Sequence, residues 1–272
     1  MPIDKDPRAK ENQQDMASGI DGGGGRAAAG GAGALVALAP ITAILLDFGG
    51  TLDGDGLHWL DRFYAIYERL EVPGLSRERI KEAFYHADAR LEADPAIASC
   101  GLREMMTLHV EQQFQYLGLA DGPLAQRVVE AFSSPAAAAL SRNRGVLEAL
   151  RRSGRRIGVV SNFYGNVRTL CDEFGLSPLC DAVLDSAVIG LRKPDPRFFR
   201  AALERVGAAP PLTVFVGDSF ERDIRPARAL GMRTVWLAPD RRVDCPDPSL
   251  VDARLESLSE LPALFAASGV SA

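Results

Sequence analysis

The chain has 272 residues, of which 47% are hydrophobic and 25% are charged, as in ordinary soluble globular proteins. This length suits one large α/β domain with an insertion, or two small domains. The formal net charge of −5 gives no electrostatic reason to expect nucleic acid or an anionic membrane surface as a partner. The four cysteines are far apart and form no Cys-x-x-Cys pair, so we expect reduced thiols and a cytoplasmic protein.

Residues 1–39 are predicted to form a flexible tail. They include a glycine- and alanine-rich tract over 22–33, which can bury little apolar surface. The apolar run over 27–46 has the length of a targeting or membrane segment, but glycines and Pro40 interrupt it. Its last residues are also needed for a strand, so we expect no membrane segment here.

The stretch 41–52 reads Ile-Thr-Ala-Ile-Leu-Leu-Asp-Phe-Gly-Gly-Thr-Leu. An apolar, β-prone run ends in Asp47, and two glycines and Thr51 follow. This pattern predicts a buried parallel strand with Asp47 at its carboxyl end, the edge where open α/β sheets bind ligands. A carboxylate there can act as a nucleophile, hold a metal ion, or do both. It can also simply cap the turn after the strand.

Between residues 58 and 139 the apolar residues recur at helical spacing. Trp59, Phe63 and Tyr67 lie on one face of a first helix, and Ser76 is placed to cap a second. Further helices are predicted over 105–117 and 124–132. We therefore predict a helical module over 58–139, inserted after the first strand.

After residue 140 the chain alternates between helices and strands. Helices are predicted over 145–152, 167–174, 196–206 and 224–230, and strands over 156–161, 182–185, 213–217 and 233–237. Strict alternation of this kind is typical of a parallel, doubly wound sheet. Residues 40–57 and 140–272 are therefore predicted to form an α/β core.

Polar residues also follow the later strands. Ser161 and Asn162 follow the second strand, where a hydroxyl, an amide and backbone N–H groups can bind phosphate oxygens. Asp218 ends a later strand, and Asp223 follows five residues on. Acids at the ends of separate strands suit Mg²⁺, which prefers carboxylates, water and substrate oxygens as ligands. Lys193, in a loop that enters a helix, would balance the charge of substrate and nucleophile.

Together these residues resemble the haloacid dehalogenase-like hydrolase superfamily. The matching segments are Asp47-Phe-Gly-Gly-Thr51-Leu, Val160-Ser161-Asn162, Gly190-Leu-Arg-Lys193-Pro-Asp-Pro and Gly217-Asp218-Ser219-Phe-Glu-Arg-Asp223. The resemblance covers residues 41–262. It implies a Rossmann-like core and an α-helical cap, inserted over 58–139 between the first two motifs.

The resemblance also implies an activity: Mg²⁺-dependent hydrolysis of a small phosphorylated metabolite. Asp47 would be the nucleophile that becomes an aspartyl phosphate, and Lys193 would stabilise the charge of the transferring group. Thr51 and Ser161, with Asn162 beside them, would bind that group. The implied metal ligands are Asp47, the backbone carbonyl of Gly49, Asp218 and Asp223.

Gly49 is the departure from the family pattern. The family's phosphatases carry a second aspartate there, which protonates the leaving group and then activates water. Loss of a general acid/base typically costs a factor of about 10²–10⁴ in rate. Asp53, Asp55 and His58 lie just beyond the turn and are candidates to replace it, although acidic loop residues are also typical of a solvated flap.

Three functions stay open at this stage. The first is hydrolysis of a phosphate with a good leaving group, such as an acyl or aryl phosphate. The second is cleavage of a phosphonate or of a carbon–halogen bond, as in two branches of the superfamily. The resemblance implies that phosphonate cleavage needs a cap lysine, for which Lys81 is the candidate, and that carbon–halogen cleavage needs no metal. The third is binding of phosphate or Mg²⁺ without turnover.

Overall fold

The computed structural model describes residues 40–72 and 74–266, so the predicted tail over 1–39 lies outside the described residues. A six-stranded sheet forms the centre, in the order β3-β2-β1-β4-β5-β6 with every pair parallel. The strands are β1 Ala43–Leu46, β2 Arg156–Ser161, β3 Ala182–Asp185, β4 Thr213–Gly217, β5 Arg233–Leu237 and β6 Ala253–Leu255. This order is that of a doubly wound, Rossmann-like sheet. The predicted fold class is confirmed.

The strand β1 lies in the middle of the sheet because it is apolar throughout. All four of its residues are fully buried, as expected of a parallel strand covered on both faces. Leu46 pairs with Val159 of β2 on one side and with Val216 of β4 on the other. The residues that follow these three strands therefore meet at one edge of the sheet.

Helices of very different lengths surround the sheet. They are α1 Trp59–Arg69, α2 Arg77–Glu92, α3 Leu102–Leu117, α4 Gly122–Arg152, α5 Val167–Glu173, α6 Ser186–Ile189, α7 Pro196–Val206, α8 Arg225–Ala229 and α9 Ala263–Ala266. His58 is the N-cap of α1. Ser76 is the N-cap of α2, and its side chain accepts from the backbone N–H of Arg79. No helix in the described ranges is long and apolar enough to cross a membrane.

The prediction of separate helices over 124–132 and 145–152 is wrong, because α4 is continuous from Gly122 to Arg152. It contains Pro135, which cannot donate to the carbonyl one turn earlier. The alanine-rich run after Pro135 favours helix, and the buried side chains of Phe132 and Leu140 continue one apolar face past the proline. The predicted boundary between residues 139 and 140 falls inside this helix.

The helices between β1 and β2 share a hydrophobic core with the sheet. One cluster of buried side chains runs from Ile44 and Leu46 of β1 to Trp59 and Phe63 of α1 and Phe132 of α4. The ring of Phe132 lies 4.9 Å from the rings of both Trp59 and Phe63. This packing holds α1 next to the turn that follows β1.

The sixth strand, β6, was not predicted. It has only three residues, two of them half-buried, so it shows no apolar run. It pairs with β5 through the register Val235 to Ala253. The carboxylate of Asp252, just before β6, accepts from the backbone N–H of Thr234 at 2.9 Å. Tertiary contacts of this kind, rather than local sequence, define the strand.

Candidate active site

Asp47 lies directly after β1, and three groups contact one of its two carboxylate oxygens. Its Oδ1 accepts from the Phe48 backbone N–H at 2.7 Å, from Ser161 Oγ at 2.9 Å and from Lys193 Nζ at 2.7 Å. Lys193 Nζ also donates to Asp223 Oδ1 at 2.7 Å. Lys193 is 3% exposed and Asp223 is fully buried, so the lysine is a buried bridge between two carboxylates.

Asn162 positions the loop that carries Lys193. Its Oδ1 accepts from the backbone N–H of Lys193 at 2.7 Å, and its Nδ2 donates to the carbonyl of the same residue at 2.9 Å. The amide is thus engaged with the main chain of the lysine. Phosphate binding by Asn162 stays a prediction.

Asp218 ends the neighbouring strand β4 and contacts the turn after β1. Thr51 Oγ1 donates to Asp218 Oδ1 at 3.0 Å. A Cβ on Gly50, which has a φ of +85°, would lie 2.6 Å from Asp218 Oδ2. Only glycine fits there, because both the left-handed backbone and the close carboxylate exclude a side chain. Trp236 of β5, which sequence reasoning missed, donates from Nε1 to the Asp218 carbonyl at 2.9 Å.

Asp223 lies in the turn Phe220–Ile224 and points back toward the end of β4. Its Oδ2 accepts from the backbone N–H of Ser219 at 3.1 Å. A Cβ on Gly217 would lie 2.3 Å from that same oxygen, so glycine at 217 makes room for the carboxylate. The turn therefore returns a second acid to the edge where β4 ends.

Three carboxylates meet at this edge. Asp47, Asp218 and Asp223 each offer an oxygen, and these oxygens lie within 4.8 Å of one another. Burial, and then the charge of Asp47, raise the pKa of Asp218 well above its usual range. Burial also raises the pKa of Asp223 to about 6, against the opposing charge of Lys193. Carboxylate oxygens that repel one another in this way are ligands that suit a divalent cation such as Mg²⁺.

Asp53 is not part of a solvated flap, and that expectation is wrong for this residue. The residue is 1% exposed, and both of its carboxylate oxygens accept hydrogen bonds. Oδ1 accepts from the Gly50 N–H at 2.6 Å, while Oδ2 accepts from Trp59 Nε1 at 2.7 Å and from Arg62 Nη1 at 3.2 Å. The helix α1 supplies both side-chain donors, so its packing against the turn buries Asp53. Burial raises the pKa of Asp53, against the opposing charge of Arg62 and the three hydrogen bonds.

Asp55 and His58 are also engaged with other groups. Asp55 pairs with Arg142 and accepts from the Leu258 backbone N–H at 3.1 Å. His58 Nδ1 accepts from the Leu60 N–H at 3.2 Å, and Nε2 lies 2.9 Å from Arg222 Nη2. Burial lowers the pKa of His58 to about 4. No hydrogen bond among the described residues joins Asp53, Asp55 or His58 to Asp47.

These residues lie in a stretch that matches a known family. The family model of haloacid dehalogenase-like hydrolases matches residues 41–231, which run from β1 through α8. The chain belongs to this hydrolase family. The matched residues include all those that the sequence predicted for the site.

Relatives of this hydrolase include phosphatases. The chain is 34% identical over 189 residues to haloacid dehalogenase-like hydrolase domain-containing protein 3 of Bos taurus, covering 63% of this chain and 74% of that protein. It is 29% identical over 187 residues to phosphoserine phosphatase of Thermus thermophilus, covering 61% and 75%. A shorter match, 40% over 89 residues, covers 33% of this chain and 39% of glyceraldehyde 3-phosphate phosphatase of Methanocaldococcus jannaschii.

Solved structures share the fold of this hydrolase. The match to a crystal structure of a dehalogenase with an intermediate complex covers 83% of this chain and 97% of the dehalogenase chain. The TM-score is 0.56 at 21% sequence identity. At that identity the likeness establishes the fold and leaves the reaction open.

Sequence reasoning missed one further acid of this hydrolase, Asp185 at the end of β3. Its Oδ2 accepts from the N–H groups of Gly165 at 2.9 Å and Val167 at 3.1 Å, and its Oδ1 from Ala187 at 3.0 Å. Asp185 thereby fixes the loop between β2 and α5, which begins with the predicted phosphate-binding residues. The sequence contains the same signal that identified Asp47, an acidic residue at the end of a predicted strand.

Proposed function

We propose that this hydrolase is a Mg²⁺-dependent phosphohydrolase that acts on a small phosphorylated metabolite through an aspartyl phosphate on Asp47. The observation that carries the proposal is the buried bridge from Asp47 through Lys193 to Asp223, with Asp218 in the same oxygen cluster. Phosphatases among the relatives support the same reaction class.

The hydrogen bonds of Asp47 leave one oxygen available for attack. Oδ1 is occupied by three donors, whereas Oδ2 accepts no hydrogen bond from any described residue. In the proposed reaction Oδ2 forms a bond to phosphorus while the bond between phosphorus and the leaving oxygen breaks. Water then cleaves the aspartyl phosphate, which releases phosphate and restores the carboxylate.

The other residues of the site hold the transferring group and its charge. Thr51, Ser161 and Asn162 would bind phosphoryl oxygens, and Lys193 would offset the negative charge. Asp47, Asp218, Asp223 and the carbonyl of Gly49 would hold Mg²⁺. When bound, the ion supplies electrostatic stabilisation of the phosphoryl oxygens.

Glycine at position 49 limits the leaving groups that the site can release. No carboxylic acid is available at that position to protonate a poor leaving group, and both oxygens of Asp53 are engaged by Gly50, Trp59 and Arg62. Acyl and aryl phosphates depart with little protonation, so they are the expected substrates. We also propose that the helical segment 58–139 acts as a cap that excludes water from the site, and that the protein is cytoplasmic.

The alternative reactions have less support. Phosphonate cleavage would need Lys81 as a desolvated nucleophile, yet Lys81 is only half-buried. Carbon–halogen cleavage would give no reason for the three clustered carboxylates. Binding without turnover would give no reason for the free oxygen on Asp47.

The test is an assay of acetyl phosphate and 4-nitrophenyl phosphate hydrolysis with and without Mg²⁺. We expect turnover that requires Mg²⁺ and is lost in Asp47→Asn, together with phosphorylated Asp47 in acid-quenched samples by mass spectrometry. Stable phosphorylation without turnover would show that the chain retains the first step and lacks the second. Turnover that survives Asp47→Asn would overturn the proposal.

A further inference from the structure

One face of α2 lies over the loops that supply the site. Tyr164, in the loop after β2, donates from its hydroxyl to Asp88 Oδ1. Arg192, in the loop before α7, lies with its Nη1 3.4 Å from Glu92 Oε1. Asp88 and Glu92 are four residues apart and so share one helix face. The same two loops carry the predicted phosphate-binding groups and the bridging lysine, so this face of α2 borders the site.

Asp88 is held in place by a chain of hydrogen bonds inside the helical segment. Tyr67 Oη donates to Gln113 Oε1 at 3.0 Å, and Gln113 Nε2 lies 2.8 Å from His109 Nδ1. Because the amide oxygen is already used as an acceptor, the amide donates to Nδ1 and the proton of His109 sits on Nε2. That N–H then donates to Asp88 Oδ1 at 3.1 Å. Two donors from different elements thus orient the carboxylate.

The second oxygen of Asp88 is left open. Oδ2 accepts no hydrogen bond in the described part of the chain, and the side chain is 29% exposed. The ring of Tyr164, which donates to Asp88, has its centroid 6.3 Å from that of Trp59 and 4.9 Å from that of Phe163. Trp59 and Phe163 are the side chains that a Cβ on Gly49, two residues after the nucleophile, would contact. An oriented carboxylate with a free oxygen therefore lies on the helix face that borders the site.

We propose that Asp88 recognises the leaving group of the substrate, through a hydroxyl or ammonium group on the released alcohol that donates to Oδ2. This inference rests on the phosphohydrolase function proposed above. It makes Asp88 a specificity residue, because it would touch the part of the substrate that departs and not the phosphorus. The preferred substrates are then phosphate esters whose leaving group carries a second polar donor.

Aryl phosphates test this without interference from Gly49, because their leaving groups need little protonation. The substrates are 3-methylphenyl, 3-hydroxymethylphenyl and 3-aminomethylphenyl phosphate, assayed with Mg²⁺. In the natural chain we expect kcat/KM to be about tenfold higher or more for the two substrates with donors than for the methyl compound, through one added hydrogen bond to a charged group.

Variants separate recognition from a purely structural role. Asp88→Ala should remove the preference, so that the three substrates are hydrolysed with similar kcat/KM. In Asp88→Asn the amide oxygen takes the place of Oδ1 toward Tyr164 and His109 and the amide nitrogen takes the open position, so only the hydroxyl, which can accept from it, should keep a preference. Glu82→Ala, on the exposed side of α2, is the matched control and should keep both preferences. Tyr164→Phe should weaken both preferences, because it removes one of the two donors that orient Asp88.

Two results would overturn the inference: no preference in the natural chain, or an equal loss on all three substrates in Asp88→Ala. The second result would mean that Asp88 only joins α2 to the loop after β2. Failure of the underlying function looks different, since none of the three substrates would then be hydrolysed in an Asp47-dependent way, and both proposals would fall.

Discussion

Trp59 lies against Gly49, two residues after Asp47. A Cβ built on Gly49 would lie 3.5 Å from Trp59 Nε1 and 3.6 Å from Phe163 Cε2, which are ordinary contact distances. The backbone of Gly49, with φ −70° and ψ 122°, is one that any residue adopts. The site therefore has room for the first side-chain atom.

Gly49→Asp is expected to raise kcat/KM for an alkyl phosphate by about 10–100-fold and to change the value for an aryl phosphate much less. The new carboxylic acid would supply the proton that a poor leaving group needs. The measurement is steady-state hydrolysis of both substrates by the natural chain and the variant. Gly49→Asn has nearly the same shape without the acid, so an equal gain in that variant would contradict the explanation.

The ends of the parallel strands made the core of the site predictable. Each apolar run stops at a polar residue, and in a parallel sheet these ends share one edge, so Asp47, Ser161 and Asp218 were expected to meet. Lys193 was found because the sequence has only four lysines, at positions 5, 10, 81 and 193, and because the segment around it resembles the family.

Contacts between distant segments were not predictable in the same way. Asp53 looked like an exposed loop acid because its partners, Trp59 and Arg62, face it only after α1 packs against the turn. The sequence pattern predicted a helix that stops at residue 132, yet tertiary packing on both sides of Pro135 keeps α4 continuous. In both places the local signal was outweighed by packing between segments that the sequence pattern does not connect.

Asp53→Ala is expected to lower the free energy of unfolding by about 3–5 kcal/mol, because it leaves a buried guanidinium without its partner. The side chains of Asp53 and Arg62 are 0% and 8% exposed, so water cannot replace the lost contact. Urea unfolding measures the change. Glu148→Ala is the matched control: it breaks the exposed pair with Arg144, which spans 3.0 Å, and should cost roughly 0.3–0.5 kcal/mol. A similar small loss in both variants would show that the buried pair is not important for stability.

Mg²⁺ is expected to stabilise the folded chain, because it would relieve repulsion among Asp47, Asp218 and Asp223. At about 100 times its Kd, a ligand that binds only the folded state adds about 2.7 kcal/mol, or roughly 5–10 °C in Tm for a protein of this size. Thermal unfolding with Mg²⁺, and again after EDTA, measures the shift. Asp218→Asn should raise the Tm of the metal-free protein and lose most of the response to Mg²⁺. An undiminished response in that variant would place the ion elsewhere.

His58 should make the stability of the protein depend on pH below neutrality. Burial, with the nearby Arg222 charge, lowers its pKa from 6.5 to about 4 in the folded chain. Between these two values the unfolded chain binds a proton at this residue and the folded chain does not, so stability is present above pH 6.5 and falls as the pH drops toward 4.

His58→Asn is expected to remove this dependence. Asparagine still accepts a hydrogen bond at the start of α1, as the His58 Nδ1 does from the Leu60 N–H, but it does not titrate. The free energies of unfolding of the two proteins should therefore converge on acidification, by at most about 1.4 kcal/mol per pH unit and by roughly 1–3 kcal/mol in total. Urea unfolding at pH 7, 6 and 5 provides the comparison, and taking the difference cancels the carboxylates common to both proteins. Parallel curves for the two proteins would mean that the His58 ring is protonated in the folded chain as readily as in the unfolded one.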